Sequence, residues 1–128
     1  MASPIAPRRI LIVDDNADAA DSLALFLGLL GHRVDVARSG TEGLERALTT
    51  KPDTILLDIG MPGIDGCEVA SRLRGTGGFG GIPIIAITGF GMDSDRRRTA
   101  AAGIDHHLVK PASMEELERL LCAAPGAS

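Results

Sequence analysis

Four short apolar runs in this chain each lead into a residue that can do chemistry. Ile10 to Val13 runs into Asp14-Asp15, Thr54 to Leu57 into Asp58, Ile82 to Ile87 into Thr88, and His106 to Val109 into Lys110-Pro111. If these runs lie parallel in one sheet, their carboxyl ends meet at one edge, which is where open α/β sheets bind ligands. Three carboxylates, a hydroxyl and an ammonium would then converge. Two like charges about 4 Å apart repel by about 4 kcal/mol at an effective dielectric near 20. A hard divalent cation offsets that repulsion, and carboxylates with carbonyl oxygens and waters suit Mg²⁺. Its remaining coordination positions would take phosphate oxygens.

Each piece also has a plainer reading. Asp14-Asp15-Asn16 stands where a strand becomes a helix, and Asp and Asn are favoured helix caps. A cap needs one such residue, however, and here two carboxylates are adjacent. Asp58 could be a polar strand end before a turn, but Gly60, Pro62, Gly63 and Gly66 after it indicate a shaped loop. Lys110 could be a solvated surface lysine. At an acidic edge it can instead pair with Asp58 and later hold a phosphate oxygen. Thr88 could be a β-favouring core residue, yet at a strand end its hydroxyl can donate to phosphate.

The elements that must position these residues follow from periodicity. RRILIV (8–13) reads as a buried strand, and Ala20, Leu23, Ala24, Leu27 and Leu30 keep helical spacing over 16–30, with Gly31 as the stop. RVDVA (33–37) alternates like a strand near a sheet edge. Ser39 and Glu42 fit a capping box for a helix ending near Thr49, before Lys51-Pro52. A strand over 53–57 follows, then a helix through Arg74 with Asp65 and Glu68 at its start. GTGGFGG (75–81) is too glycine-rich for regular structure and reads as a mobile loop. A strand over 82–88, a helix over 95–102, a strand over 104–109 and a last helix opened by Ser113 and Glu116, carrying Leu117, Leu120 and Leu121, complete a (βα)₅ alternation. Such alternation implies a doubly wound parallel sheet with helices on both faces, but not the order of its strands.

Composition narrows the function. At 128 residues the chain is one domain by length, expected over 8–123 with frayed tails at 1–7 and 124–128. A net charge of −4 argues against a nucleic-acid surface, and three Phe with no Trp or Tyr argue against base stacking. Cys67 and Cys122 have no metal-ligand spacing and read as reduced thiols. The longest apolar stretch, LALFLGLLG, is far too short to span a membrane, and no secretory signal precedes the first strand. The reading is a cytoplasmic protein.

Taken together and in order, Asp14-Asp15, Asp58 in DIGMPGIDG, Thr88 in ITG and Lys110-Pro111 in HHLVKP resemble the receiver domains of two-component response regulators over 8–123. The resemblance implies a flavodoxin-like sheet of order 2-1-3-4-5. It implies that Asp58 is the phosphoacceptor, and that Asp14, Asp15, Asp58 and the Gly60 backbone carbonyl hold Mg²⁺. Thr88 and Lys110 would contact the phosphoryl group, next to a remodelled loop at Gly89 and a cis bond before Pro111. The implied phosphodonor is a histidine kinase or histidine phosphotransfer protein. The implied output is a changed surface around the 95–102 helix, the last strand and the last helix, read by a downstream protein. No direct nucleic-acid or membrane contact is expected. The chain would be no enzyme beyond its own aspartyl phosphorylation and dephosphorylation. DIGMPGIDG and DHHLVKP also resemble hybrid-kinase receivers, so a single-domain regulator and a hybrid-kinase receiver both stay open.

Three departures and rivals sharpen the expectation. The family usually has Tyr or Phe three residues before the lysine, as a rotameric switch coupled to the hydroxyl residue. Here His107 stands there, an imidazole whose charge depends on pH. His106 should point to the opposite strand face, so the pair is poorly placed to share a metal. A haloacid-dehalogenase-like phosphatase also combines Asp, Thr and Lys on a parallel sheet, but it carries D-x-D after its first strand, where this chain has Asp-Asp-Asn. A degenerate, binding-only receiver is disfavoured because every charged site residue is present. Gly60 and Phe90 lie two residues beyond Asp58 and Thr88, where the family tunes dephosphorylation. With no side chain, Gly60 cannot position a hydrolytic water. Gly60→Asn should therefore shorten the lifetime of the phosphorylated state, followed by phosphate release; an unchanged lifetime would remove the idea.

Overall fold

The computed structural model describes residues 8–59, 66–77, 79, 81–88, 100–109 and 114–123. Strands β1 (Arg9–Val13), β2 (Arg33–Ala37), β3 (Thr54–Asp58), β4 (Ile84–Thr88) and β5 (His106–Val109) form one sheet, parallel throughout, in the order β2-β1-β3-β4-β5. This is the flavodoxin-like order that the resemblance implies. Helices α1 (Ala17–Leu29), α2 (Gly40–Thr50) and α3 (Gly66–Arg74) separate the first four strands, and α4 (Met114–Ala123) follows β5. Of the helix expected over 95–102, residues 100–102 are described; 100 and 101 are helical and 102 is in a turn. The caps expected at Asp65 and Ser113, the stretches 1–7 and 124–128, and Phe90 lie outside the described residues.

The continuous apolar runs are explained by cover on both faces. Alternate residues Leu11, Val13, Ile55, Leu57, Ile84 and Ala86 pack with Ala47 of α2 and Val69, Ala70 and Leu73 of α3. The intervening Ile10, Ile12, Leu56, Ile85, Ile87 and Leu108 pack with Ala20, Leu23 and Leu27 of α1 and Leu117 of α4. Each face thus collects every second side chain of every central strand. β2 lies at the sheet edge, as its alternation indicates. Among the described residues no helix is long and apolar enough to cross a membrane.

Local sequence chemistry sets the helix ends. The Asn16 side chain accepts the Ala19 N–H at 3.1 Å and caps α1. Gly31, at φ +98, ends that helix in the left-handed region and gives its N–H to the Gly28 carbonyl. Ser39 caps α2 by accepting the Glu42 N–H at 3.1 Å. Glu42 reaches back to the Arg38 N–H at 2.8 Å, one residue before the cap, and this bond, then Arg46, holds its carboxyl below the usual value. Strand β3 starts at Thr54, not Asp53, because Asp53 accepts the Arg9 N–H at 3.0 Å across the edge.

The described residues of 75–81 carry no helix or strand, as the glycines require, but Phe79 among them is anchored. Phe79 is buried. The Arg74 guanidinium donates to the carbonyls of Phe79 (2.6 Å), Ile82 (2.8 Å) and Gly103 (2.7 Å) and to Asp105 (2.9 Å). Asp105 in turn accepts the Ile84 N–H at 2.9 Å, so one arginine joins α3 to the starts of both β4 and β5. Hydrogen bonds from a charged group contribute about 1.5–3 kcal/mol. Arg74→Met, which keeps the stem and removes the fork, should cost about 2 kcal/mol in a urea titration. A loss under about 0.5 kcal/mol would mean that water replaces the fork without penalty.

Candidate functional site

Parallel register decides which residues share the carboxyl edge. Val13 pairs with Leu57, so Asp14 and Asp58 stand level on neighbouring strands. Asp58 pairs with Ile87, and Thr88 pairs with Val109, the residue before Lys110. Asp58 is therefore the last residue inside β3 rather than the first of a loop. The edge is extended by Asp14 N–H to the Ala37 carbonyl at 3.0 Å and by Ile59 N–H to the Ile87 carbonyl at 3.3 Å.

Asp14 and Asp58 are buried and Asp15 is exposed. Because Asn16 caps α1, neither aspartate before it is needed for capping. Asp14 Oδ1 instead accepts the Asn16 N–H at 2.9 Å, which fixes that carboxylate at the strand end. One oxygen each from Asp14, Asp15 and Asp58 lies within 4.8 Å of the others. Around an octahedral ion with bonds near 2.1 Å, oxygens on opposite sides stand about 4.2 Å apart. Neighbouring oxygens around such an ion stand about 3.0 Å apart, so the three carboxylates would draw together to share it; the exposed Asp15 marks the solvent side.

A close approach holds this geometry from below. A Cβ on Gly66 would sit 2.7 Å from the Asp58 carbonyl oxygen and 2.9 Å from Ile59 Cα. Only glycine lets the first turn of α3 lie on the end of β3. Its role as a packing contact could not be read from sequence, which marked it only as part of a shaped loop. The backbone of Thr88 ends β4 on the same edge. Gly60, Gly89, Lys110 and Pro111 lie outside the described residues. His107 is half-buried on β5 and pairs with Ala86, which faces α2 and α3; His106 alternates with it, on the face of Leu108. The two imidazoles thus occupy opposite faces, as expected.

The sequence matches the response regulator receiver domain family over residues 10–121. The chain belongs to that family. Response regulator MprA of Mycobacterium tuberculosis is 40% identical over 109 residues, covering 85% of this chain and 46% of that protein. The receiver thus spans a little under half the length of the curated relatives it matches. Among solved structures, chemotaxis protein CheY4 of Vibrio cholerae superposes with a TM-score of 0.87 at 28% identity, over 93% of this chain and 99% of that one. The receiver domain of sensor histidine kinase PA1611 from Pseudomonas aeruginosa gives 0.82 at 32% identity, over 91% and 95%, and is described with a magnesium ion coordinated in its active-site cleft. This chain is a signalling receiver domain of the two-component type.

The Gly66 contact can be tested against a glycine in open space. Gly66→Ala should destabilise the receiver by about 1–3 kcal/mol, the usual cost of forcing extra volume into a packed contact. Gly28→Ala, in α1 with nothing within 4 Å of its Cβ, should stabilise by about 0.5–1 kcal/mol. Chemical denaturation of both variants gives the comparison; equal effects would remove the packing role.

Proposed function

We propose that this receiver takes a phosphoryl group on Asp58 from a histidine kinase or histidine phosphotransfer protein and passes the change to a downstream protein. The observation that supports it most is the grouping of Asp14, Asp15 and Asp58 oxygens within 4.8 Å at the end of two adjacent strands. An Asp58 carboxylate oxygen attacks phosphorus as the P–N bond of the donor phosphohistidine breaks, and the leaving imidazole keeps that electron pair. Asp14 and Asp15, with Asp58 and the Gly60 carbonyl, would hold Mg²⁺. When bound, the ion neutralises charge on the phosphoryl oxygens. Thr88 and Lys110 contact those oxygens from β4 and the end of β5. The transfer itself needs no activated water; loss of the acyl phosphate afterwards is hydrolysis, in which a water attacks phosphorus and the Asp58 carboxylate leaves with the electron pair of the broken P–O bond.

The phosphoryl group carries about −1.5 to −2 charge in place of the single negative charge of the Asp58 carboxylate. Thr88 and Lys110 are drawn towards it, with the Gly89 loop and His107 following as the switch. The output surface comprises the 95–102 helix, β5 and α4. Donor docking is assigned to α1, where Leu25 and Leu29 stand exposed one turn apart while Phe26 packs inward. We place the working unit at residues 8–123 and its site of action in the cytoplasm, as a stand-alone regulator or as the receiver of a hybrid kinase, without direct nucleic-acid or membrane contact.

Intact mass after incubation with acetyl phosphate tests the reading. One phosphoryl adduct is expected on the parent with Mg²⁺, and none on Asp58→Asn or on the parent with a chelator. An equal adduct on Asp58→Asn would overturn the assignment.

A further inference from the structure

At the amino end of the sheet, opposite the acidic edge, His32 is 7% exposed in the turn between α1 and β2. Its Nδ1 accepts the Arg8 N–H at 3.0 Å. The neighbouring Arg33 N–H donates to the Arg8 carbonyl at 2.9 Å, so both polar groups of the Arg8 backbone are held by this turn. An acceptor Nδ1 fixes the ring as the neutral tautomer with its proton on Nε2, and Nε2 is buried with no hydrogen-bond partner. A second proton can enter only at Nδ1, where it would face the Arg8 N–H donor to donor. We propose that His32 is an acid-opened latch: its neutral ring fastens the start of β1 to the α1–β2 turn, and protonation of Nδ1 releases it.

The surroundings set the direction. Burial of the ring, and then the Arg8 guanidinium beside it, lower the His32 pKa below 6.5. Arg33 follows His32 in the chain and is exposed, and across the start of β1 Asp53 is engaged by the Arg9 N–H. The C-terminal end of α1, where the Leu27 carbonyl accepts the His32 N–H at 3.1 Å, favours a cation but does not outweigh the other two. Above pH 6.5 the ring is neutral in both folded and unfolded chains and contributes no pH dependence. Below it the unfolded chain binds a proton that the folded one refuses. Stability therefore falls with pH until the lowered folded-state value is reached. β1 carries Asp14 and Asp15 at its far end, so the latch loosens the strand on which the acidic site is built.

The test is hydrogen exchange on the whole chain between pH 7.5 and 5.0, corrected for intrinsic rates. Amide protection at Arg8 and Arg33 should fall below pH 6.5, by at most about tenfold per pH unit. In His32→Asn, whose side-chain carbonyl can accept the same N–H without titrating, protection there should stay flat. A flat profile in the parent, or the same fall in the variant, overturns the latch. Should the variant not fold, ring ¹⁵N shifts of the parent decide. Nδ1 unprotonated at pH 7, with the ring and the Arg8 amide titrating together below 6.5, supports it. A protonated Nδ1, or an Arg8 amide indifferent to the ring, sinks it.

Discussion

Everything at the acidic edge depends on one unfavourable arrangement: carboxylates of Asp14, Asp15 and Asp58 whose oxygens come within 4.8 Å of one another. Nothing in the intrinsic preferences of the chain would bring them together. The hydrophobic pairing of β1 with β3 does, because Ile10, Leu11, Ile12 and Val13 find buried partners in Thr54 to Leu57. Burying one such side chain is worth about 1.5–3 kcal/mol, and a central pair of strands buries several. That sum exceeds the repulsion it imposes, so the sheet can keep a site that resists its own charge. A divalent cation at this spot would relieve that repulsion.

The backbone around the acids is correspondingly over-determined. Asp14 is held through its N–H by Ala37 and through Oδ1 by Asn16. The Asp58 carbonyl lies under Gly66, where no side chain fits. Asp58 sits inside the ladder, level with Ile87, instead of beyond it. Asp14 and Asp58 are thus fixed at the ends of two neighbouring strands.

Much of this was legible in the sequence because it rests on local periodicity. All five strands lie within the expected runs to a residue or two, β4 and β5 each starting two residues later than the pattern puts them. The Ser39 cap, the Gly31 stop and the edge character of β2 appear as expected, although Glu42 bonds the Arg38 N–H rather than that of the cap. The acidic residues were legible because each closes an apolar run, so parallel register alone aligns them. The illegible residues act across long separations. Arg74 reaches Gly103 and Asp105, His32 meets Arg8 from 24 positions away, and Gly66 matters only through the strand end it covers. In sequence, Arg74 is a basic residue near a helix end and His32 one of three histidines. Neither carries a local mark of burial. The strand start at Thr54 was misjudged by one residue for the same reason, since Asp53 is claimed by Arg9 from another strand.

β1 links the two ends of the molecule. At its carboxyl end it bears like charges that strain to separate, and at its amino end it is tied by backbone bonds to His32, Arg33 and Asp53. A five-residue strand in mid-sheet, buried on both faces, has little freedom to absorb displacement at one end without passing it to the other. Anchoring at the amino end therefore does more than hold a terminus: it lets the opposite end carry an electrostatic load. The Arg74 fork stands in the same relation to β4 and β5, bonding the carbonyls and carboxylate that precede them. The charged groups at the amino edge bond the starts of the strands; those at the carboxyl edge are the clustered carboxylates. The parallel sheet keeps the two kinds of chemistry one strand length apart.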